Sequence, residues 1–138
     1  MNKQTSDLPV IRLQLVSPFI EELQRRDIDC SATLAAFGIT PLAIQEGQLF
    51  VSVPVMYKLV ESLSESSGDP YFGVHVGELV DPWAYSPLAE AAAMASTLGD
   101  LLLRFALNVN TDTTSVSLVL EAAADRSTYF WHRVSDGG

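Results

Sequence analysis

The side chains able to do chemistry in this sequence are two histidines, one cysteine, an excess of carboxylates and a group of aromatics. Nucleophilic catalysis needs a serine or cysteine beside a base that a third group orients, and the histidines on offer are His75 and His132. Neither sits in a recognisable motif. The chain has no Gly-x-Ser-x-Gly, no His-Glu-x-x-His, no P-loop and no Gly-x-Gly-x-x-Gly. His75 and Glu78, at i and i+3, could give a metal two ligands, but a site needs three or four, and the further soft donors are Cys30 and His132. Cys30, beside Ser31 at an expected helix start, could have a lowered pKa, although a small buried thiol is the commoner fate. Carboxylate pairs for acid-base work cannot be argued, because acids this abundant neighbour one another by chance. These residues point away from an enzyme and require no metal or cofactor.

The aromatics offer more. Trp83, Tyr85, Tyr57, Phe105, Tyr129, Phe130 and Trp131 suffice to line a small-molecule cavity, with Arg104, Arg133 or His132 as polar anchors. The commoner fate of any one of them is to fill the core. The expected ligand-contacting set is Trp83, Tyr85, Arg104, Phe105, Trp131 and His132. The stretch from Leu88 to Phe105 scans superficially as helix-turn-helix, with Ser96-Thr97 at the turn. A recognition helix presents Arg, Lys, Asn or Gln to base edges, whereas this one offers Asp100, apolar residues and only Arg104 before Asn108.

Positioning such a set takes a folded scaffold, and 138 residues make one domain. Apolar residues at 48% against 18% charged supply a core and exclude a disordered chain. Seventeen acids against eight bases give a net charge of −9, a field that repels phosphate backbones and anionic lipid. From Asp27 to Asp100 ten acids face a single base, Lys58. That acidic middle reads as a solvated face, with docking of a basic partner as the alternative. One cysteine fits a reducing compartment. Arg12 interrupts the apolar start at Val10-Ile11, so neither a signal peptide nor a membrane span is expected, and the cytoplasm is the expected location.

Proline follows a capping side chain at Ser17-Pro18, Thr40-Pro41, Asp69-Pro70, Asp81-Pro82 and Ser86-Pro87, each matching an N-cap with proline at the first helical position. Several short helices follow from that. One runs from Pro18 to near Arg26, and another from Asp29 as cap to Phe37, with Gly38 as a left-handed stop. Leu49 to Val53 is a strand candidate. Met56, Leu59, Val60 and Leu63 then mark an amphipathic helix that Gly68 closes. In the next helix Phe72, Val76 and Leu79 share one face, while Gly73 and Gly77 share another and suggest close backbone packing. Thr97 and Asp100 form a variant capping box ahead of a broad buried face, Leu101, Leu102, Phe105, Ala106 and Val109. The period then changes from helical to alternating, and Val116-Leu118-Leu120 with Thr128 to Val134 predicts a hairpin with a five-residue loop. The fold class is α+β, with several short helices in the first two-thirds followed by an antiparallel hairpin.

The order of these pieces carries a resemblance. Phe37-Gly38-Ile39, Val53-Pro54 opening a helix, Ser67-Gly68-Asp69-Pro70-Tyr71-Phe72-Gly73-Val74-His75-Val76-Gly77-Glu78, then Ser96-Thr97-Leu98-Gly99 and the hairpin are arranged in series. Over roughly Ile11 to Val134 the chain resembles the N-terminal effector-binding and dimerisation domain of AraC/XylS-type bacterial transcription regulators, the arabinose-binding-like subgroup. Where relatives often carry Gly-x-Leu-Gly, this chain has Ser86-Pro87-Leu88-Ala89, which alters the local turn. The resemblance implies residues 1–138 are a sensor and dimerisation domain, incomplete, ending just after an expected strand, with the helix-turn-helix DNA-binding domain lying outside them. It implies a small-molecule effector, a homodimer, no membrane partner, and DNA contact only through that further domain. A ligand-free dimerisation module is the alternative, and a small hydrolase or metalloenzyme is a third class.

Overall fold

The computed structural model describes residues 9–84, 86–125 and 128–134, and for residues 86, 122 and 128–134 the backbone alone. Strand β1 (Val10–Arg12) passes through a 3-10 turn, Leu13–Val16, into helix α1 (Ser17–Arg25). Helices α2 (Ser31–Ala36) and α3 (Pro41–Glu46) follow, then strand β2 (Phe50–Ser52), α4 (Val53–Ser67) and α5 (Phe72–Leu79). Beyond a 3-10 turn at Pro82–Ala84 come α6 (Ser86–Met94), α7 (Leu98–Asn108), β3 (Val116–Ala122) and β4 (Thr128–Val134). Seven helices and an antiparallel hairpin among the described residues make the chain α+β.

Local chemistry sets most of these boundaries. Thr40 Oγ1 accepts the Ala43 N–H (3.2 Å) to start α3, and Thr97 Oγ1 accepts the Asp100 N–H (3.1 Å) to start α7. Asp100 returns its carboxylate to the Ser96 N–H, one residue before the cap, so the expected box closes in a shifted form. Helices α1 and α2 end alike. Ile28 N–H reaches the Leu23 carbonyl and Ile39 N–H the Leu34 carbonyl, each 2.9 Å, around a left-handed residue. These are Schellman closures, and each places an isoleucine against the leucine one turn back. Gly38 takes the left-handed position in α2 as expected, whereas Asp27 (φ 57°) takes it in α1.

The main core lies among the first five helices. Leu13, Val16, Ile20 and Leu23 meet Leu34, Ile39 and Ile44 on one side and Met56, Leu59, Leu63, Phe72 and Val76 on the other. Short helices are marginal in isolation, so this shared burial is what keeps α1 to α5 wound. β1 pairs antiparallel with β2, Ile11 opposite Val51.

A polar seam ties the rest of the chain to this core. Arg12 N–H donates to the Asp112 carbonyl (2.7 Å), Thr114 N–H to the Val10 carbonyl (2.9 Å), and Ile11 bridges Thr113. The Arg12 guanidinium donates to Asp112 Oδ1 (2.6 Å), the Gly47 carbonyl (2.6 Å) and the Thr111 carbonyl (2.9 Å), and lies 4.7 Å over the Phe50 ring. Asp112, Thr113 and Ser115 are buried there.

Several expectations need correction. Ser17 is the first residue of α1 rather than its cap, because the chain winds into the helix directly from the 3-10 turn. Asp69 accepts the Tyr71 N–H (2.9 Å) and so caps a turn one residue before α5 begins. Gly73 and Gly77 face open space: a Cβ on either would meet nothing within 4 Å, so no neighbouring backbone exploits them. Leu79, the last residue of α5, is exposed, unlike Phe72 and Val76. On α7 only Ala106, followed by Val109 beyond the helix end, is fully buried, and Leu101, Leu102 and Phe105 are half-covered. The hairpin matches expectation, with Val116 opposite Val134 and five residues between the strands.

Candidate functional site

The expected ligand-contacting residues are carried by one contiguous group of elements. The Pro82–Ala84 turn packs on α6, α6 on α7, α7 on β3, and β3 pairs with β4. Trp83 sits on that turn, its backbone fixed by Asp81 Oδ1 (2.9 Å), with its side chain 58% exposed. Arg104 and Phe105 are half-buried on α7. Arg104 Nε donates to Asp100 Oδ1 (2.9 Å), one turn earlier, so its cation is held in an ion pair. Trp131 and His132 stand opposite Val119 and Leu118 in the hairpin register; their side chains, and Tyr85 altogether, lie outside the described residues. Five of the six therefore lie on elements that pack one against the next.

The other polar concentration joins α1 to the start of α5. Glu22 is buried, and its carboxylate accepts Arg25 Nε (2.7 Å) and Nη2 (2.8 Å) and Arg26 Nε (2.6 Å). Those bonds, Arg25's first and Arg26's second, hold its pKa down from 4.5 to about 2. Arg26 reaches on to Asp69 Oδ2 (2.9 Å) and lies 5.1 Å over the Phe72 ring. Asp69 is likewise lowered from 3.8 to about 2, by the Tyr71 N–H foremost, then Arg26, then His75, whose Nδ1 is 2.7 Å from Oδ2. His75 thus pairs with Asp69 rather than Glu78. Among the described residues no three His, Cys, Asp or Glu side chains are grouped to hold a metal ion. Cys30 is buried, and burial pushes its thiol pKa up, the fate of a packing cysteine.

Both lowered carboxylates make stability pH-dependent with a definite sign. Their contribution is complete above about pH 4.5 and is lost as pH falls through the folded values near 2. Thermal melts across that window will show a progressive decline. Arg26→Gln removes the guanidinium that both carboxylates share, so the variant starts less stable at neutral pH and declines less steeply. An unchanged slope would contradict the network's role.

Sequence reasoning missed the Arg12–Asp112 pair and the Arg26–Asp69 link, because each depends on tertiary contact between residues with no shared motif. No helix among the described residues is long and apolar enough to cross a membrane. No match is found among curated proteins. The model of the arabinose-binding domain at the N-terminus of AraC transcription regulators matches residues 28–137, which takes in α2 through the hairpin and leaves β1 and α1 outside.

Proposed function

The chain belongs to this family of regulator ligand-binding domains, not an enzyme family, and on that premise we propose that it senses a small effector and dimerises in the bacterial cytoplasm. DNA contact falls to a separate, basic domain of the regulator, because a net charge of −9 repels phosphate. The observation that carries the reading is the family match over most of the chain.

The effector docks against the group formed by the Pro82–Ala84 turn, α6, α7 and the hairpin, using Trp83, Tyr85, Arg104, Phe105, Trp131 and His132. Contiguity of their carrying elements supports this placement. Dimerisation is supported by apolar side chains that the same group leaves at the surface: Met94, Leu98 and Leu107 are each about 70% exposed. A ligand there acts by binding one arrangement of the dimer better than the other, with coupling of about 1–3 kcal/mol.

Thermal-shift screening of amino acids, sugars, fatty acids and aromatic acids tests the reading. An effector at a hundredfold excess over its Kd adds about 2.7 kcal/mol of stability, and Trp83→Ala and Phe105→Ala abolish the shift. No shift anywhere in the panel, with light scattering still showing a dimer, would instead assign the chain as a ligand-free dimerisation module. A monomer at high concentration would remove the dimer.

A further inference from the structure

A cleft of about 260 Å³ opens between α1, α2 and α3, in the part of the chain that the effector reading does not use. Its floor is apolar: Ile20, Leu34 and Ile44 are core residues whose remaining exposed atoms face it, with Ile28 and the Cys30 thiol beside them. Its polar lining is different in kind. Glu21, Gln24, Asp29 and Gln45 contribute, and none of the residues lining the cleft is a lysine or arginine.

Two carboxylates in that lining have no cationic partner among the described residues. Asp29 accepts both the backbone N–H and the hydroxyl of Ser31, which lowers its pKa and keeps it ionised. Glu21 is exposed and has no hydrogen-bond or ion-pair partner among the described residues, since Arg25 and Arg26 both turn to Glu22. Two carboxylates therefore line an apolar-floored hollow whose lining holds no lysine or arginine, in a chain of net charge −9.

We infer that this cleft binds a small organic cation, an ammonium group carried on a compact apolar body. The body covers Ile20, Leu34 and Ile44, and the ammonium lies between Glu21 and Asp29, with the amide oxygens of Gln24 and Gln45 as further acceptors. Anions are repelled by both carboxylates and by the net charge. Sugars leave the apolar floor unmatched. At about 260 Å³ the cleft is smaller than the roughly 300–1,000 Å³ of sites for drug-sized ligands, which suits a compact ligand. This inference does not rest on the effector reading, and none of its residues belongs to that set.

Phenethylammonium is the probe, with 2-phenylethanol as its neutral isostere, on the full 138-residue chain. Titration calorimetry will show the cation binding and the alcohol at least tenfold weaker. Methyl NMR will place the largest shifts at Ile20, Ile28, Leu34 and Ile44. Glu21→Gln, an exposed change that leaves the fold intact, will weaken the cation about fivefold and leave the alcohol unchanged, and added salt will weaken the cation alone. Equal binding of cation and alcohol, an unaltered Kd in Glu21→Gln, methyl shifts confined to α6, α7 and β3, or no heat at millimolar probe would each overturn the assignment. Failure here leaves the effector reading intact, because that reading stands on Trp83 and Phe105.

Discussion

Arg12→Met will lower the unfolding free energy by about 2–4 kcal/mol and separate two transitions that coincide in the parent chain. The guanidinium gathers Asp112 Oδ1, the Gly47 carbonyl and the Thr111 carbonyl, drawn from two segments of the chain distant from Arg12 in sequence. Methionine keeps an apolar stem of similar length and deletes the fork, together with the guanidinium's place over the Phe50 ring. Asp112, 7% exposed, is then left as a charge in a poorly solvated place, which costs more than the lost attraction alone. A fully buried pair broken this way costs about 3–5 kcal/mol, and the figure is reduced here because the Arg12 side chain is 24% exposed. Lysine at the same position restores charge without the planar fork and recovers only part of the loss. Both tryptophans, Trp83 and Trp131, lie beyond α5, whereas five of the seven helices precede them. Fluorescence and far-ultraviolet circular dichroism will therefore diverge in Arg12→Met, with fluorescence melting first. Coincident curves would show that the seam is not what holds the two parts to one transition.

That seam also marks where reading the sequence stops working. Thr40, Thr97, Gly38 and Gly68 were legible because capping and left-handed closure depend on residues three or four positions away. The hairpin was legible for the same reason, since its strands are separated by five residues. Arg12, by contrast, reads in the sequence as an interruption of an apolar start, and its partner Asp112 is 100 residues on. Gly73 and Gly77 mislead in the opposite direction: their spacing fits close packing, but among the described residues nothing comes within 4 Å of a Cβ at either. The half-covered state of Leu101, Leu102 and Phe105 has a similar origin, as periodicity tells which face turns inward but not how much lies opposite. For the residues proposed to contact the effector, sequence supplied the types and the fold supplied adjacency of the elements that carry five of them. The Asp100 partner that occupies Arg104 follows from i, i+4 spacing and was available from the sequence alone.

The largest single loss will come from Phe72→Ala, about 3–5 kcal/mol. Phe72 is 1% exposed at the point where α1, α4 and α5 meet, its ring 6.1 Å from that of Phe19 and under the Arg26 guanidinium. Truncation opens a cavity in the main core and takes the aromatic face away from Arg26, so two kinds of contact fail at once. Domains of this size have about 5–15 kcal/mol in total, and the variant will therefore sit near the edge of folding. Its Tm should fall by roughly 10–20 °C. Val74→Ala, two residues on and 60% exposed, changes the helix but not the core and should stay within about 0.5 kcal/mol. Comparing the two isolates burial from helix propensity. Phe72→Leu, which refills most of the volume, should recover more than half of the loss but not the contact with Arg26. If leucine restored full stability, the ring would be serving as volume alone, and the Arg26 guanidinium would owe its position to Glu22 and Asp69 without help from the aromatic face.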